Sequence, residues 1–517
     1  MKIIPTLCCL AALFTSTLQA QDYRDADAIL ANQDEVYVNY NCGYPTFEVP
    51  PLIVEGRTFV ELNTLFTAMG IALTWDGETQ KITGTKDGTV IELWIGSTTA
   101  YVDGQSTTLD AAPFIATPYN RTMVPVAFIS EATGADTSWE GNSRTVIVND
   151  APCTVAADWQ SGALNSDIVD WTLLRNLSIK VDEKTIWKSN NPEAIEGTGW
   201  MMQSSRTDGA RGGQSTPLQG CNDIYLFHIN KSGSDKYVHL LASNPNDVSA
   251  SVTLSGSMYN NTEKPLYGKG TGLNYQVAYD WLYDTPRTNI QRIVSPYTAQ
   301  ELVRIKLDSM IDGRYEICSD EGVYLYTVAT NTGSSSDAIN LSQGNVAPGF
   351  IAEPDVDKFG REAGIYSGSG VKSVQSIVLP DNQGYIGFNF NSTNKIYTYL
   401  QDQTSDAIMN LSDSSAQTHG NYGHHYNVTL HLINNNSVDR SVTFRFGSNV
   451  TNSPVSFTWN SPALVNGSLV DLFTTPSSPS AVIDTYTIPA NGSRNINLEL
   501  YVPGLITTNQ QLILEAN

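Results

Sequence analysis

Hydrophobic positions along this chain keep two different periods, and the change falls near residue 184. In the N-terminal part Val60, Leu62, Leu65, Phe66 and Met69 follow helical spacing, and Gly70 stands where a helix needs a left-handed stop. Leu73 and Trp75, an Asp76-Gly77 turn and Gln80 to Gly84 then read as two strands. Thr89 to Ile95 with Thr99 to Val102 reads as a further hairpin. From Lys184 onward, short β-branched and aromatic runs are broken by Gly, Asn, Ser, Asp and Pro. Tyr237 to Ala242, Ala250 to Leu254, Gly322 to Ala329, Gly384 to Phe390, Tyr426 to Ile433, Ser441 to Phe446 and Asn495 to Tyr501 read as strands. Period-two alternation is clearest in Asn427-Val428-Thr429-Leu430-His431-Leu432. This spacing favours β-sandwiches, with Tyr426 to Ile433 and Ser441 to Phe446 as a hairpin inside one. Tyr279, Trp281 and Tyr283 also alternate, which predicts one face of a strand.

An internal repeat organises the first part. Ile53, Gly56-Arg57-Thr58, Val60, Leu62, Phe66, Met69-Gly70 and Trp75-Asp76-Gly77 recur as Ile115, Asn120-Arg121-Thr122, Val124, Val126, Ile129 to Ala132, Gly134 and Trp139-Glu140-Gly141. The offset is constant at 64, from 57 to 121 and from 75 to 139. Each copy reads as strand, turn, short helix, strand.

On the Gly56-Arg57-Thr58-Phe59-Val60 and Asn120-Arg121-Thr122-Met123-Val124-Pro125 segments, with their Gly and Trp-acid-Gly partners, residues 36 to 149 resemble the copper amine oxidase N-terminal-like domain. The resemblance implies a non-catalytic stalk or attachment unit that holds neither copper nor the redox cofactor. The larger part, from about 184 to 517, resembles a family of uncharacterised secreted proteins best represented in cyanobacteria. Ser189-Asn190-Asn191-Pro192-Glu193, Gly197, Phe227-His228, Asn244-Pro245 and above all His419-Gly420-Asn421-Tyr422-Gly423-His424-His425-Tyr426 carry it. This second resemblance implies export and a β fold and brings no assigned activity.

Composition sharpens the setting. The 517 residues include 52 acidic and 29 basic ones, a net charge of −23 that repels phosphate backbones and makes nucleic acid an unexpected partner. Met1-Lys2, an apolar stretch from Leu7 to Phe14, and Ser16 to Ala20 before Gln21 read as a secretory signal peptide over 1–20. No later run approaches the ~20 apolar residues of a transmembrane segment. With Cys8 and Cys9 in the leader, Cys42, Cys153, Cys221 and Cys318 remain of the six cysteines. An exported chain makes disulfides expected; four cysteines allow three pairings, with pairing inside each domain the preferred one.

All six histidines lie in the larger part, four of them between 419 and 431. Such density raises a binding site at His419, Asn421, Tyr422, His424 and His425, with a metal-binding protein as one alternative. Strand alternation argues against one metal centre, because His425 and His431 point one way and His424 the other. The plainer reading is a tight turn shaped by Gly420 and Gly423 whose side chains bond neighbouring backbone. An amine oxidase proper needs an acid after Asn-Tyr and a His-x-His pair; Asn421-Tyr422 precedes Gly423, and no such pair occurs. Tyr275, Tyr279, Trp281 and Tyr283 fit sugar stacking and core packing equally. The acid-dense Glu353 to Asp357 segment reads as a solvated loop.

Together these features predict a mainly β chain: a leader at 1–20, a linker at 21–35, an α+β two-repeat module at 36–150, a linker at 151–183 and a β-sandwich-type region at 184–517, divisible at 345/346. The expected function is that of a secreted, non-enzymatic binding or structural protein, periplasmic or extracellular, without a cofactor, meeting an envelope polysaccharide or surface protein. A secreted carbohydrate-active enzyme is the competing expectation, since any chain with 52 acids offers carboxylate pairs.

Overall fold

In each copy of the repeat a strand runs straight into a short helix: Arg57–Glu61 into Leu62–Ala68, and Arg121–Pro125 into Val126–Ala132. Neither helix has a side-chain N-cap, so burial of Leu65, Phe66, Val126 and Ile129 must hold them. Both stop at a glycine of positive φ, Gly70 (+67°) and Gly134 (+77°). The Asp76-Gly77 turn joins Ala72–Asp76 to Lys81–Lys86, and Thr89–Trp94 and Thr99–Val102 extend that sheet.

The computed structural model describes residues 22–41, 43–141, 144–150, 159–182, 184–205, 215–264, 269–350, 361–395, 398–448, 459–504 and 509–517. The leader expected at 1–20, Cys42, Cys153 and the 353–357 acids lie outside them. The chain divides into two units, Met1–Pro152 and Cys153–Asn517. It is mainly β, and the first unit is a small α+β module. In that unit the two repeat copies meet through the antiparallel strands Arg57–Glu61 and Arg121–Pro125. Alternation along these strands sends Val60 and Val124 into one core with Leu65 and Ile129, and Phe59 and Met123 into another with Leu52 and Phe114. Within 21–35, Tyr23–Asp25 pairs in parallel with Phe114–Thr117 and leads into the helix Ala26–Leu30, capped by Asp25.

The second unit contains two sandwiches. In the first, the strand Met310–Thr330 belongs to both layers: its first half pairs with Leu218–Asn230 and Ala250–Asn260, its second half with Gly199–Gln203 and Lys236–Ser243. Leu226 and Leu254 from one layer meet Val238, Leu240 and Val328 from the other. Cys221 and Cys318 sit directly opposite one another on paired strands and are disulfide-bonded, the pairing expected within this domain.

The second sandwich packs a sheet containing Gly370–Val378, His425–Asn434 and Gly492–Tyr501 on one containing Gly384–Phe390, Gln510–Ala516, Arg440–Ser448 and Ser480–Ile488. Segments interleave between the sandwiches. Gln160–Ser161 and Ile179–Val181, from the stretch expected to connect, pair with 384–385 and 371–373 in the second sandwich. Ala363–Tyr366 and Ala407–Asn410, from beyond residue 345, extend the first.

All seven strand runs read from the pattern lie within observed strands. The expected hairpin of 426–433 with 441–446 does not form, because those strands lie in opposite layers. Buried Asn434 makes the arch between them: its Nδ2 donates to Val438 O (2.8 Å) and Ile488 O (3.1 Å), and its Oδ1 accepts from Asn436 N (3.0 Å). Asn244 repeats this in the first sandwich, donating to Val248 O (2.7 Å) and Val294 O (2.9 Å) and accepting from Asn246 N (2.9 Å). Val238, Leu240, Asn244, Asn246, Val248, Ser251, Val252 and Thr253 recur as Val428, Leu430, Asn434, Asn436, Val438, Ser441, Val442 and Thr443, an offset of 190 from 244 to 434 and from 253 to 443. The sandwiches therefore share a duplicated strand-arch-strand element.

Tyr279, Trp281 and Tyr283 do not share a strand. Leu273–Leu282 is a helix, and Tyr279 packs on Tyr283 one turn later, ring centroids 4.8 Å apart. No helix among the described residues is long and apolar enough to cross a membrane.

Candidate functional site

The histidine-rich turn lies where the two sandwiches meet, and most of it is structural. Asn421, fully buried with φ +50°, accepts from Thr418 Oγ1 (2.7 Å) and donates to Asn391 Oδ1 (3.1 Å), Gln403 O (3.1 Å) and Tyr426 Oη (3.0 Å). Just past the 492–501 strand, Val502 O accepts from Gly423 N (2.9 Å) and Val502 N donates to His424 O (2.9 Å). A Cβ on Gly423 would lie 2.8 Å from Tyr225 Cβ, so only glycine fits this close approach. Tyr422 stacks on Tyr225, centroids 6.2 Å apart. His419 is buried.

Buried charges from the first sandwich hold the turn in place. Arg314 donates from Nε to Gly423 O (3.0 Å) and from Nη1 to Tyr315 O (2.6 Å), and its Nη2 pairs with Asp223. Lys184 Nζ lies 2.9 Å from Asp223 Oδ1 and also pairs with Glu316. Burial alone would raise the Asp223 carboxyl, but Arg314 and Lys184 outweigh it and hold it at about 2. Lys188 and Glu362, both fully buried, pair at 2.8 Å. Burial pulls the Lys188 ammonium below its ordinary range despite Glu362. His424, fully buried, is pushed well below its usual value by burial and then by Lys188 and Arg314, and is neutral.

His425, one residue on, faces the other way into a cleft of about 310 Å³. The cleft runs between the helix Leu273–Leu282, the strands Ala250–Asn260 and Met310–Thr330, and the strand pair carrying His425 and Glu499. Trp281 lines it, with the Arg314 guanidinium 4.0 Å over its ring. Burial, then the charges of Lys372 and Arg314, lower the His425 imidazole to about 4 against the pull of Asp223. Its Nε2 is 3.9 Å from Glu499, and its ring nitrogens have no hydrogen-bond partner among the described residues. Asp280, Asp284, Glu316 and Glu499 supply the acids. Asp280 accepts from Tyr259 Oη (2.8 Å) and Gln276 Nε2 (2.8 Å), and Glu316 is paired with Lys184.

Of the residues expected to form one binding site, His419, Asn421, Tyr422 and His424 build the junction, and His425 faces the cleft. The histidines do not converge as metal ligands. Among the described residues, the one group of three whose ligand atoms lie within 4.8 Å of each other is Cys221, Glu316 and Cys318, and its cysteines are spent in the disulfide. Arg314, Glu316 and Glu499 were missed, since each sits in an ordinary alternating strand. Trp281 was seen but assigned to the wrong element. Spacing by four in Leu273, Val277 and Trp281, and in Tyr275, Tyr279 and Tyr283, was the signal for a helix.

The molecule is thus a two-part β protein, an α+β repeat module and a double sandwich enclosing a polar cleft. Residues 37–148 match the copper amine oxidase N-terminal domain, and residues 323–460 match a protein family of unknown function, DUF3370. The second match covers the 419–425 turn and Arg314's neighbouring strand half, and is narrower than the 184–517 span expected. No curated protein matches. Among solved structures, the PBSX exported protein XepA is 9% identical with a TM-score of 0.14, covering 60% of this chain and 88% of that one. The CBM22-1-CBM22-2 tandem domain from Paenibacillus barcinonensis Xyn10C is 9% identical with a TM-score of 0.14, covering 62% and 88%. Lac15 from a marine microbial metagenome is 12% identical with a TM-score of 0.09, covering 70% and 64%. At such scores these likenesses carry no argument.

Proposed function

We propose that this chain is a secreted protein of the periplasm or cell exterior that acts by binding, with the repeat module as its attachment or spacing unit and the double sandwich as its ligand-presenting unit. The match of residues 37–148 to an N-terminal domain of copper amine oxidases supports an accessory role for the repeat module, and the second match, to a family of unknown function, brings no activity. The observation that carries the reading is the cleft itself. It lies at the seam of two sandwiches, a common place for ligand pockets, and presents a neutral imidazole beside an indole. The leader-like residues 1–20 support export.

Purified chain incubated with isolated cell envelope and with envelope polysaccharides tests the reading. Retention on one of these fractions is the expected outcome. A chain that stays wholly in the unbound fraction overturns it.

A further inference from the structure

Resting on the reading of the double sandwich as a binding unit, we propose that its cleft takes one uncharged or amino-bearing sugar ring, with Trp281 as the apolar surface and His425 and Asp284 as polar partners. Size, charge and open hydrogen-bonding capacity all point this way.

A volume of about 310 Å³ stands at the small end of ligand pockets, suited to a single ring and its substituents rather than a long peptide or a flat polycyclic cofactor. Four carboxylates line the cleft against one guanidinium, and that guanidinium is already committed. Arg314 already donates to Gly423 O and Tyr315 O and is ion-paired with buried Asp223, so its charge is largely compensated before a carboxylate or phosphate could arrive. An anionic ligand would meet the exposed Asp284 carboxylate, which has no ion-pair partner among the described residues. A ligand rich in hydroxyl or amino donors meets acceptors instead.

Not every lining group is free to serve. Asp280 is held by Tyr259 and Gln276, and Glu316 by Lys184. Asp284, exposed at φ +50° just past the helix, has no hydrogen bond to its carboxylate among the described residues. His425 makes none either, and its ring, neutral through the physiological range, can donate from one nitrogen and accept at the other. Arg314 covers one face of Trp281, leaving the rest of the indole to pack the C–H face of a ring. Alternating donors and acceptors around an apolar surface match a pyranose better than a purely apolar or purely ionic ligand.

Calorimetric and tryptophan-fluorescence titration of the full chain with three hexasaccharides tests this: a neutral β-1,4-glucan, its 2-amino counterpart and a polygalacturonate. The neutral or the amino hexamer should bind and the anionic one should not; the better of the first two identifies the source of the ring. Trp281→Ala, His425→Ala and Asp284→Asn should each weaken binding, Trp281→Ala by about tenfold or more. Trp281 also stacks on Arg314, so the other two variants, which leave that stack in place, carry the test independently. Preference for the anionic hexamer, or an affinity unchanged in all three variants, overturns the proposal. Binding of none of the three sugars overturns it too. Retention on isolated envelope, measured in parallel, shows whether the broader binding reading falls with it.

Discussion

Val60 and Val124, related by the 64-residue repeat, are directly opposite one another in the antiparallel pair that joins the two copies. A local two-fold axis therefore passes between them, so that Phe59 opposes Pro125 as Met123 opposes Glu61. Positions related by this axis should respond alike to mutation. Gly70 and Gly134 have φ of +67° and +77°, and a Cβ on either would meet nothing within 4 Å. Gly70→Ala and Gly134→Ala should each cost about 1 kcal/mol from backbone conformation alone, and asparagine at either position less. Urea unfolding of the four variants checks this; markedly unequal costs would show that the two copies are not equivalent.

Asp312 should make the second unit more stable in mild acid. Burial raises its carboxyl to about 7, against backbone bonds from Gly504 and Gly313 that favour the charged form. Its Oδ2 accepts from Gly504 N (3.3 Å), while Oδ1 and the nearby Tyr225 and Tyr501 hydroxyls lack partners among the described residues. Because the folded value lies above the ordinary one of 3.8, the stabilisation is complete below about 4 and is lost as pH rises through about 7. The limit is on the order of 4 kcal/mol for a shift of about three units. Asp312→Asn should remove this pH dependence, so the difference in urea midpoint between variant and parent should widen from pH 5 to pH 8.5.

The Lys188–Glu362 pair should show its worth only when broken. Both partners are fully buried at 2.8 Å, with Lys188 Nζ also 5.5 Å from the Tyr366 ring centroid. Lys188→Met strands a carboxylate in the core and should cost about 3–5 kcal/mol, whereas Lys188→Met with Glu362→Leu should recover most of the loss. A double-mutant cycle in denaturant measures the recovery, and a double variant as unstable as the single one would contradict this account.

Reduction should weaken the first sandwich. Cys221 and Cys318 close a loop with a sequence separation of 97, for which chain entropy alone gives about 4–5 kcal/mol. The thermal transition of the first sandwich should shift downward in reductant for the parent chain and stay unmoved by reductant in the Cys221→Ser, Cys318→Ser double variant.

What the sequence revealed, and what it hid, follows from the range of the interactions involved. The 64-residue offset, the stops at Gly70 and Gly134 and the alternation of 427–432 are local signals, and each corresponds to an observed element. The 426–446 pair was misread because a turn between two strands looks the same whether they pair or diverge. Only the partners of Asn434, Val438 close by and Ile488 far along the chain, decide for an arch. The cleft was hidden for the same reason: Trp281, Arg314, His425 and Glu499 come from four distant segments, and the buried neighbours of His425 that keep it neutral leave no mark on its own stretch of sequence.

Gln510–Ala516 is an interior strand, inserted between Gly384–Phe390 and Arg440–Ser448. A chain emerging from its N-terminus therefore makes both neighbours long before the piece that belongs between them. Until then each has a bare hydrogen-bonding edge, available to any other extended segment in reach. Assembly of the second sandwich is thus closed by its last strand, and a nascent or shortened chain lacking those residues should be the aggregation-prone form of this protein.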